Sequence, residues 1–256
     1  MSSVITTTTE LDGRALVISL NRPEARNAVN SQVARELAAA FDRLDADPDL
    51  RVGILRGEGR GFSAGMDLKA FLEGDFPAFE DRGFGGFAQK PPRTPVIAAI
   101  EGFAVAGGLE MALACDLIVA ASDAKLGLPE VKRSLIAAGG GLLRLAQRIP
   151  YHVAAEIALT GDPVPVERLY QVGLVNRVAE PGRALEVALA LAAQLVDNAP
   201  LGLEGSKHVL ERAADWGLER GWQEQEPIMM RVNQSEDARE GATAFAERRP
   251  PVWRGR

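Results

Sequence analysis

The chain has 256 residues, 46% hydrophobic and 25% charged, with a single cysteine and with acids outnumbering bases 35 to 29. That is enough for one large domain or two small ones around a real core, and it excludes a disordered tail, a collagen-like rod and a disulfide scaffold. A net charge of −6 argues against a nucleic-acid surface, and a lone Cys115 cannot close an internal disulfide, so the expected setting is reducing and cytoplasmic.

In chain order, Met1–Glu10 is rich in Ser and Thr and lacks the basic start and apolar centre of a secretory signal. Val4–Glu10 and Ala15–Leu20 alternate around Asp12-Gly13 and read as a hairpin. Ser31 is placed to cap a helix running to about Ala46, with Val33, Leu37, Ala40, Phe41 and Leu44 on one face. Arg51–Arg56 is a short apolar strand followed by the glycine-rich loop Gly57–Gly65. Lys69–Arg93 is irregular and carries Phe71, Phe76, Phe79, Phe84 and Phe87, five of the nine phenylalanines. Val96–Ile100 is a second strand; a second Gly-rich loop and a helix from about Gly108 follow, then a third strand over Asp116–Ala121. From Gly140 the pattern is mostly helical, broken by a short strand at Leu174–Val178. No linker splits the chain, and the class is a layered α/β domain.

Val96–Ala121 is long enough to span a bilayer, but it contains Glu101, Glu110 and Asp116. Each acid costs about 2.5–3.5 kcal/mol at the centre of a helix in lipid. The stretch is therefore expected to be buried protein core, with no membrane partner, and its acids need a structural explanation.

Three chemistries fit the glycine loops. Gly61-Phe62-Ser63-Ala64-Gly65 has the spacing of a nucleophile elbow, which would make Ser63 a hydrolase nucleophile with His208 downstream, although nothing before residue 51 supplies an oxyanion loop. Gly59, Gly61 and Ala64 match a dinucleotide fingerprint, but the segment after them offers no second strand. In the third, two tight turns each leave backbone amides unpaired and together form an oxyanion hole. Glycines that merely permit close packing are the plain alternative.

Two glutamates stand beside these loops. Glu110 is the one charged residue in Gly107–Cys115, a helix otherwise apolar on every face. A carboxylate there must find a partner such as Arg133 or Arg144, or its pKa rises through desolvation. Glu130 follows Pro129, a setting typical of a helix N-terminus. Two acids near two amide-bearing loops suit proton movement beside a developing oxyanion. His152 and His208 read as surface or packing residues and Cys115 as a core thiol. There is no His/Cys cluster for a metal.

With these residues in view the chain resembles the enoyl-CoA hydratase/isomerase (crotonase) superfamily. The resemblance runs through Asn21–Ala28, Phe62–Leu68, the long block Pro95–Glu130, Gly161-Asp162, Gly173–Asn176 and Glu240–Trp253. It implies a crotonase-like spiral of repeated ββα units over 1–195, with a C-terminal helical region over 196–256 that builds a homotrimer or a dimer of trimers. It implies an acyl-CoA thioester substrate, with coenzyme A as part of that substrate and no separate cofactor or metal. It places the oxyanion donors on the amides of Met66 and Gly107, and the coenzyme A along Arg26, Ala28, Ala64, Asp67, Leu68 and Lys69.

Acids at both 110 and 130 resemble the hydratase pattern: Glu110 activates water for C3 and Glu130 protonates C2 of a trans-2-enoyl-CoA, reversibly, as in fatty-acid or related acyl-CoA breakdown. The alternatives on this fold are a carnitinyl-CoA dehydratase-like reaction and an enoyl-CoA isomerase. Outside it stand the Ser63 hydrolase and a non-catalytic acyl-CoA binder. The phenylalanine-rich segment lies where the family shapes its acyl pocket. The sequence departs from the hydratase pattern at Ala106, where glycine is common, and in the run Ala137–Gly141.

Overall fold

The apolar strands of the sequence are continuous runs because most of them face a core on both sides. In the computed structural model, which describes residues 3–79 and 81–256, β1 (Ile5–Glu10) and β2 (Ala15–Leu20) form the expected antiparallel hairpin, with Ile5 opposite Leu20. Met1-Ser2 of the Ser/Thr-rich start and Glu80 of the phenylalanine-rich segment lie outside the described residues. In β2, Leu16, Ile18 and Leu20 enter one core while Ala15 and Val17 enter a second. β1 exposes Thr6–Glu10, a polar row suited to a sheet edge.

α1 (Ser31–Ala46) buries the expected face. Its cap is Asn30, not Ser31: the Asn30 side chain accepts the Val33 N–H at 3.0 Å. β3 (Val52–Gly57) follows. The segment read as irregular holds a short helix, α2 (Leu68–Leu72), and a small hairpin, β4 (Ala78–Phe79) with β5 (Gly83–Phe84). β6 (Val96–Ile100) leads into β7 (Phe103–Val105), α3 (Gly107–Ala114), β8 (Leu117–Ala121) and β9 (Lys125–Gly127). Strands as short as β7 and β9 show no period in the sequence.

The remainder comprises α4 (Gly141–Arg148), α5 (Tyr151–Thr160), β10 (Val164–Pro165), α6 (Val166–Gln171), β11 (Arg177–Ala179), α7 (Ala184–Val196), α8 (Pro200–Asn233) and α9 (Glu236–Glu247). The strand expected at Leu174–Val178 lies further along, as β11. Leu174 and Val175 are buried in the preceding turn, so their apolar character reflects packing rather than strand pairing.

The large sheet has the order β1-β2-β3-β6-β8-β11 and is parallel from β2 onward. Beyond the C-terminal ends of its strands the chain makes a second, shorter stack. Val29 bridges Met66, Ser63 bridges Ala104, Val105 pairs with Gly127, and Leu126 pairs with Val164. Each turn of the spiral thus contributes one strand to the large sheet and one short segment to this stack. The donor-bearing loops become spatial neighbours on successive turns.

Two of the three acids inside Val96–Ala121 hold the fold together. Glu101 accepts the N–H groups of Gly182 and Ala184 at 3.0 and 2.7 Å, at the start of α7. Asp116 accepts the Val96 N–H at 2.7 Å and pairs at 2.8 Å with Lys207, a buried lysine that ties α8 to the body. Glu110 is the exception. No single helix among the described residues is long and apolar enough to cross a membrane.

Candidate active site

Three loops meet at the C-terminal ends of β2, β3 and β6. The first, Arg26–Val29, is fastened to the second by backbone bonds from Ala64 N–H to Arg26 O (3.0 Å), Val29 N–H to Gly65 O (2.8 Å) and Asp67 N–H to Val29 O (2.9 Å). Buried Asn27, at φ 53, accepts the Arg22 N–H at 2.9 Å and donates to the carbonyls of Glu58 and Gly61 at 2.9 and 2.8 Å. Asn27 pins the two loops together, a role the sequence reading missed. Its only signal was that asparagine tolerates the left-handed region.

The second and third loops touch at Gly65. A Cβ on Gly65 would stand 2.7 Å from the Gly107 nitrogen, so only glycine fits, and its φ of 85 is one glycine adopts freely. Met66 N–H and Gly107 N–H have no backbone acceptor among the described residues. Gly107 opens α3, whose first amides are unpaired by construction. Two unclaimed donors therefore come from adjoining loops, as an oxyanion hole requires.

Glu110, one turn into α3, is 4% exposed. It has no ion pair among the described residues; Arg144, offered as a partner, donates to the Ala88 carbonyl instead. The carboxylate is held by backbone: Oε1 accepts the Gly141 N–H at 2.9 Å. A Cβ on Gly139 would stand 2.7 Å from Oε2 and one on Gly141 2.9 Å from Cγ. The glycine run noted as a departure in the sequence is thus the shelf on which Glu110 rests. Desolvation raises the Glu110 pKa, opposed by the amides of Gly141 and Gly139 and by the charge of Arg144.

Glu130 occupies the first turn of a short 3-10 helix, Pro129–Arg133, so the expected helix-start setting holds. Its Oε2 is nonetheless buried without a hydrogen-bond partner. Desolvation, reinforced by the negative charge of Glu110, lifts its pKa to about 7 against the pull of its own backbone N–H and of Arg133. The two carboxyls therefore sense each other, and each lies above its usual range.

Of the residues expected along coenzyme A, Arg26, Leu68 and Lys69 are exposed and Ala28, Ala64 and Asp67 half-buried, all on the joined first and second loops. The Asp67 carboxylate is committed: it pairs with Arg22 at 3.0 Å and caps α2 through the N–H groups of Lys69 and Ala70. Despite desolvation, those bonds and Arg22 hold its pKa below the usual value.

The phenylalanines divide. Phe87 is core against Phe41, Phe71 and Phe76 pack edge-on upon each other, and the Phe84 ring stands where a side chain at Gly107 would be.

The serine-hydrolase reading is overturned. Ser63 is fully buried, its hydroxyl donating to Asn27 O at 2.8 Å and accepting the Gly65 N–H at 3.1 Å. His208 is exposed on α8 and stacked on Trp216. Cys115 is a buried thiol pushed up to about 12 by desolvation, which leaves it inert at neutral pH. No group of three or more His, Cys, Asp or Glu able to hold a metal occurs among the described residues. A separate cavity of about 550 Å³ lies beside α9, where Arg249 and Glu240 pair at 2.6 Å and the Asp237 carboxylate accepts the N–H groups of Arg254 and Gly255.

Residues 11–256 match the enoyl-CoA hydratase/isomerase family. The chain belongs to that family. It is 41% identical over 254 residues to a carnitinyl-CoA dehydratase of Salmonella typhi, covering 96% of this chain and 97% of that one. Among solved structures it is similar to an enoyl-CoA hydratase from Mycobacterium tuberculosis, with 51% identity, a TM-score of 0.96 and full coverage of both chains. It is also similar to a carnitinyl-CoA hydratase from Mycobacterium avium, at 37% identity and a TM-score of 0.78, again over both full chains. As a member of this family the chain has the mixed α/β crotonase fold.

Proposed function

We propose that this chain is an enoyl-CoA hydratase, a hydro-lyase that reversibly adds water syn across the 2,3 double bond of a trans-2-enoyl-CoA. The observation that carries the reading is the unequal pair of carboxyls beside two unclaimed amides. Glu110, held by backbone N–H groups, serves as the carboxylate. Glu130, with a pKa of about 7, serves as the acid near neutral pH. Separating the pKa values of two nearby carboxyls is how one site runs acid and base chemistry together.

The thioester oxygen sits between the amides of Met66 and Gly107. Glu110 takes a proton from water as its oxygen bonds to C3. The π electrons move to C2 and the carbonyl, giving an enolate whose oxygen the two donors stabilise. Glu130 then delivers its proton to C2. The sum is one water added, with one proton moved onto Glu110 and one off Glu130, and solvent exchange resets both. Water, thioester and the two carboxyls supply every atom, so no metal or redox cofactor enters the scheme. Coenzyme A lies along Arg26, Ala28, Ala64, Asp67, Leu68 and Lys69, with Asp67 acting through its backbone.

A carnitinyl-CoA dehydratase-like reaction is the second reading. It is favoured by the 41% identity to such an enzyme and uses the same groups in reverse on a 3-hydroxyacyl-CoA. Exposed Leu143, Tyr151 and Leu159 on α4 and α5 support assembly as a homotrimer or dimer of trimers, which sedimentation would measure. Hydration of crotonyl-CoA, of longer enoyl-CoA esters and of one bearing a 4-trimethylammonium group, each with product identification, tests the function. Hydration restricted to the cationic ester would favour the second reading, and turnover of none would refute both.

A further inference from the structure

Ala106, the residue before the Gly107 donor, has φ 52 and ψ −134. Arg26, Ser134 and Arg248 also have positive φ, but with ψ of 35, 35 and 42 they sit in the ordinary left-handed well. The angles of Ala106 are those of the first central residue of a type II′ turn, a place where a Cβ is unwelcome and glycine is the rule. Such strain persists only where the surroundings over-determine it, and it concentrates at functional sites.

The surroundings here do over-determine it. The Ala106 N–H donates to Gly127 O at 3.0 Å, its carbonyl accepts the Glu110 N–H at 3.1 Å, and the preceding Val105 N–H donates to Ser63 O at 3.1 Å. The methyl points into the seam between the donor loops. A Cβ on Gly65 would lie 3.0 Å from it and 2.7 Å from the Gly107 nitrogen. The methyl thus packs on the segment that carries Met66, beside the N–H that must face the same oxygen. Interiors are dense enough that removing one methyl shifts its neighbours, and oxyanion donors act over a window of about 2.7–3.1 Å.

We propose that Ala106 is a positioning residue: its methyl, held in a strained turn against Gly65, sets the spacing of the Met66 and Gly107 amides. This rests on the reading above, in which those amides bind the thioester oxygen. The strain opposes stability, while the spacing serves the rate.

Ala106→Gly and Ala106→Ser test this, with Tm, kcat and KM on crotonyl-CoA, and the ultraviolet band of the enolate formed by bound acetoacetyl-CoA. Ala106→Gly is expected to raise Tm by about 2–4 °C as strain is relieved. It should lower kcat about tenfold through a misplaced donor, with KM within about twofold and the enolate band weakened. Ala106→Ser, which keeps the Cβ, should hold kcat within about threefold of the parent. A glycine variant with unchanged or higher kcat, a lower Tm, or a serine variant as slow as the glycine one would overturn the proposal.

Should the parent protein fail to hydrate crotonyl-CoA yet form the enolate band, the hydratase reading falls. The spacing role then stands or falls on whether Ala106→Gly weakens that band. Absence of both turnover and band in the parent overturns the two together.

Discussion

Glu110 and Glu130 are the same residue type with pKa values shifted in the same direction, yet the protein sets them in unlike places. Glu110 is sealed at the start of α3 and gripped by the amide of Gly141. Glu130 sits on a short 3-10 turn with Oε2 buried and unpartnered. Donors favour the ionised form, whereas an unserved oxygen favours the neutral one. Burial alone raises a carboxyl pKa; the hydrogen bonds decide which member of a pair acts as base and which as acid.

The largest effects should come from removing either member. Glu110→Gln and Glu130→Gln are each expected to slow crotonyl-CoA hydration by about 10²–10⁴, measured as kcat with folding checked by circular dichroism. Equal, near-parent rates in both would end the distinction drawn here. Next in size, Gly139→Ala puts a methyl where Oε2 of Glu110 lies. It should cost about 10–10² in kcat with little change in coenzyme A affinity. The same substitution at an open helical glycine such as Gly221, where a Cβ would meet nothing nearer than 4.0 Å, should leave kcat unchanged.

The pH dependence sharpens the contrast further. Glu130 must carry its proton to act, so kcat/KM should fall about tenfold per unit above pH 7, following its pKa of about 7. On the acid side the rate should fall as Glu110 gains a proton, above the usual carboxylate range because its pKa is raised by desolvation. The midpoints belong to the coupled pair. In Glu130→Gln the alkaline limb should vanish while the acid limb remains.

The smallest effect is on stability. Glu130 titrates near 7 when folded and at about 4.3 when unfolded. Between those values the folded chain binds more protons, so the stabilising contribution present at low pH is lost as pH rises through about 7. Glu130→Gln should therefore exceed the parent in Tm by about 5–10 °C at pH 8 relative to the difference at pH 4.

Much of this was legible in the residues. The hairpin follows from alternation, α1 from the helical spacing of its apolar face, and β3 and β6 from short apolar runs, while Glu110 stands out as a lone charge on an apolar helix. What stayed hidden depends on contacts distant in sequence. β7 and β9 exist because they pair with each other and with neighbouring turns of the spiral. Gly139 and Gly141 read as a departure from a pattern, because nothing local says that a carboxylate about thirty residues earlier rests on them. Asn27 shows no role in the sequence, since its partners Glu58 and Gly61 come from the next turn. Ser63 had the right local spacing for a nucleophile and the wrong surroundings, fully enclosed and already bonded on both sides.

The central claim is that this carboxyl pair adds water across a thioester-activated double bond. The most direct measurement is the product of crotonyl-CoA turned over in deuterium oxide, read by NMR. The expected result is 3-hydroxybutyryl-CoA carrying one deuteron at C2, on the same face as the new hydroxyl. A 3,4-unsaturated thioester that lacks a hydroxyl and carries its deuteron at C2, or recovery of unlabelled substrate, would contradict it.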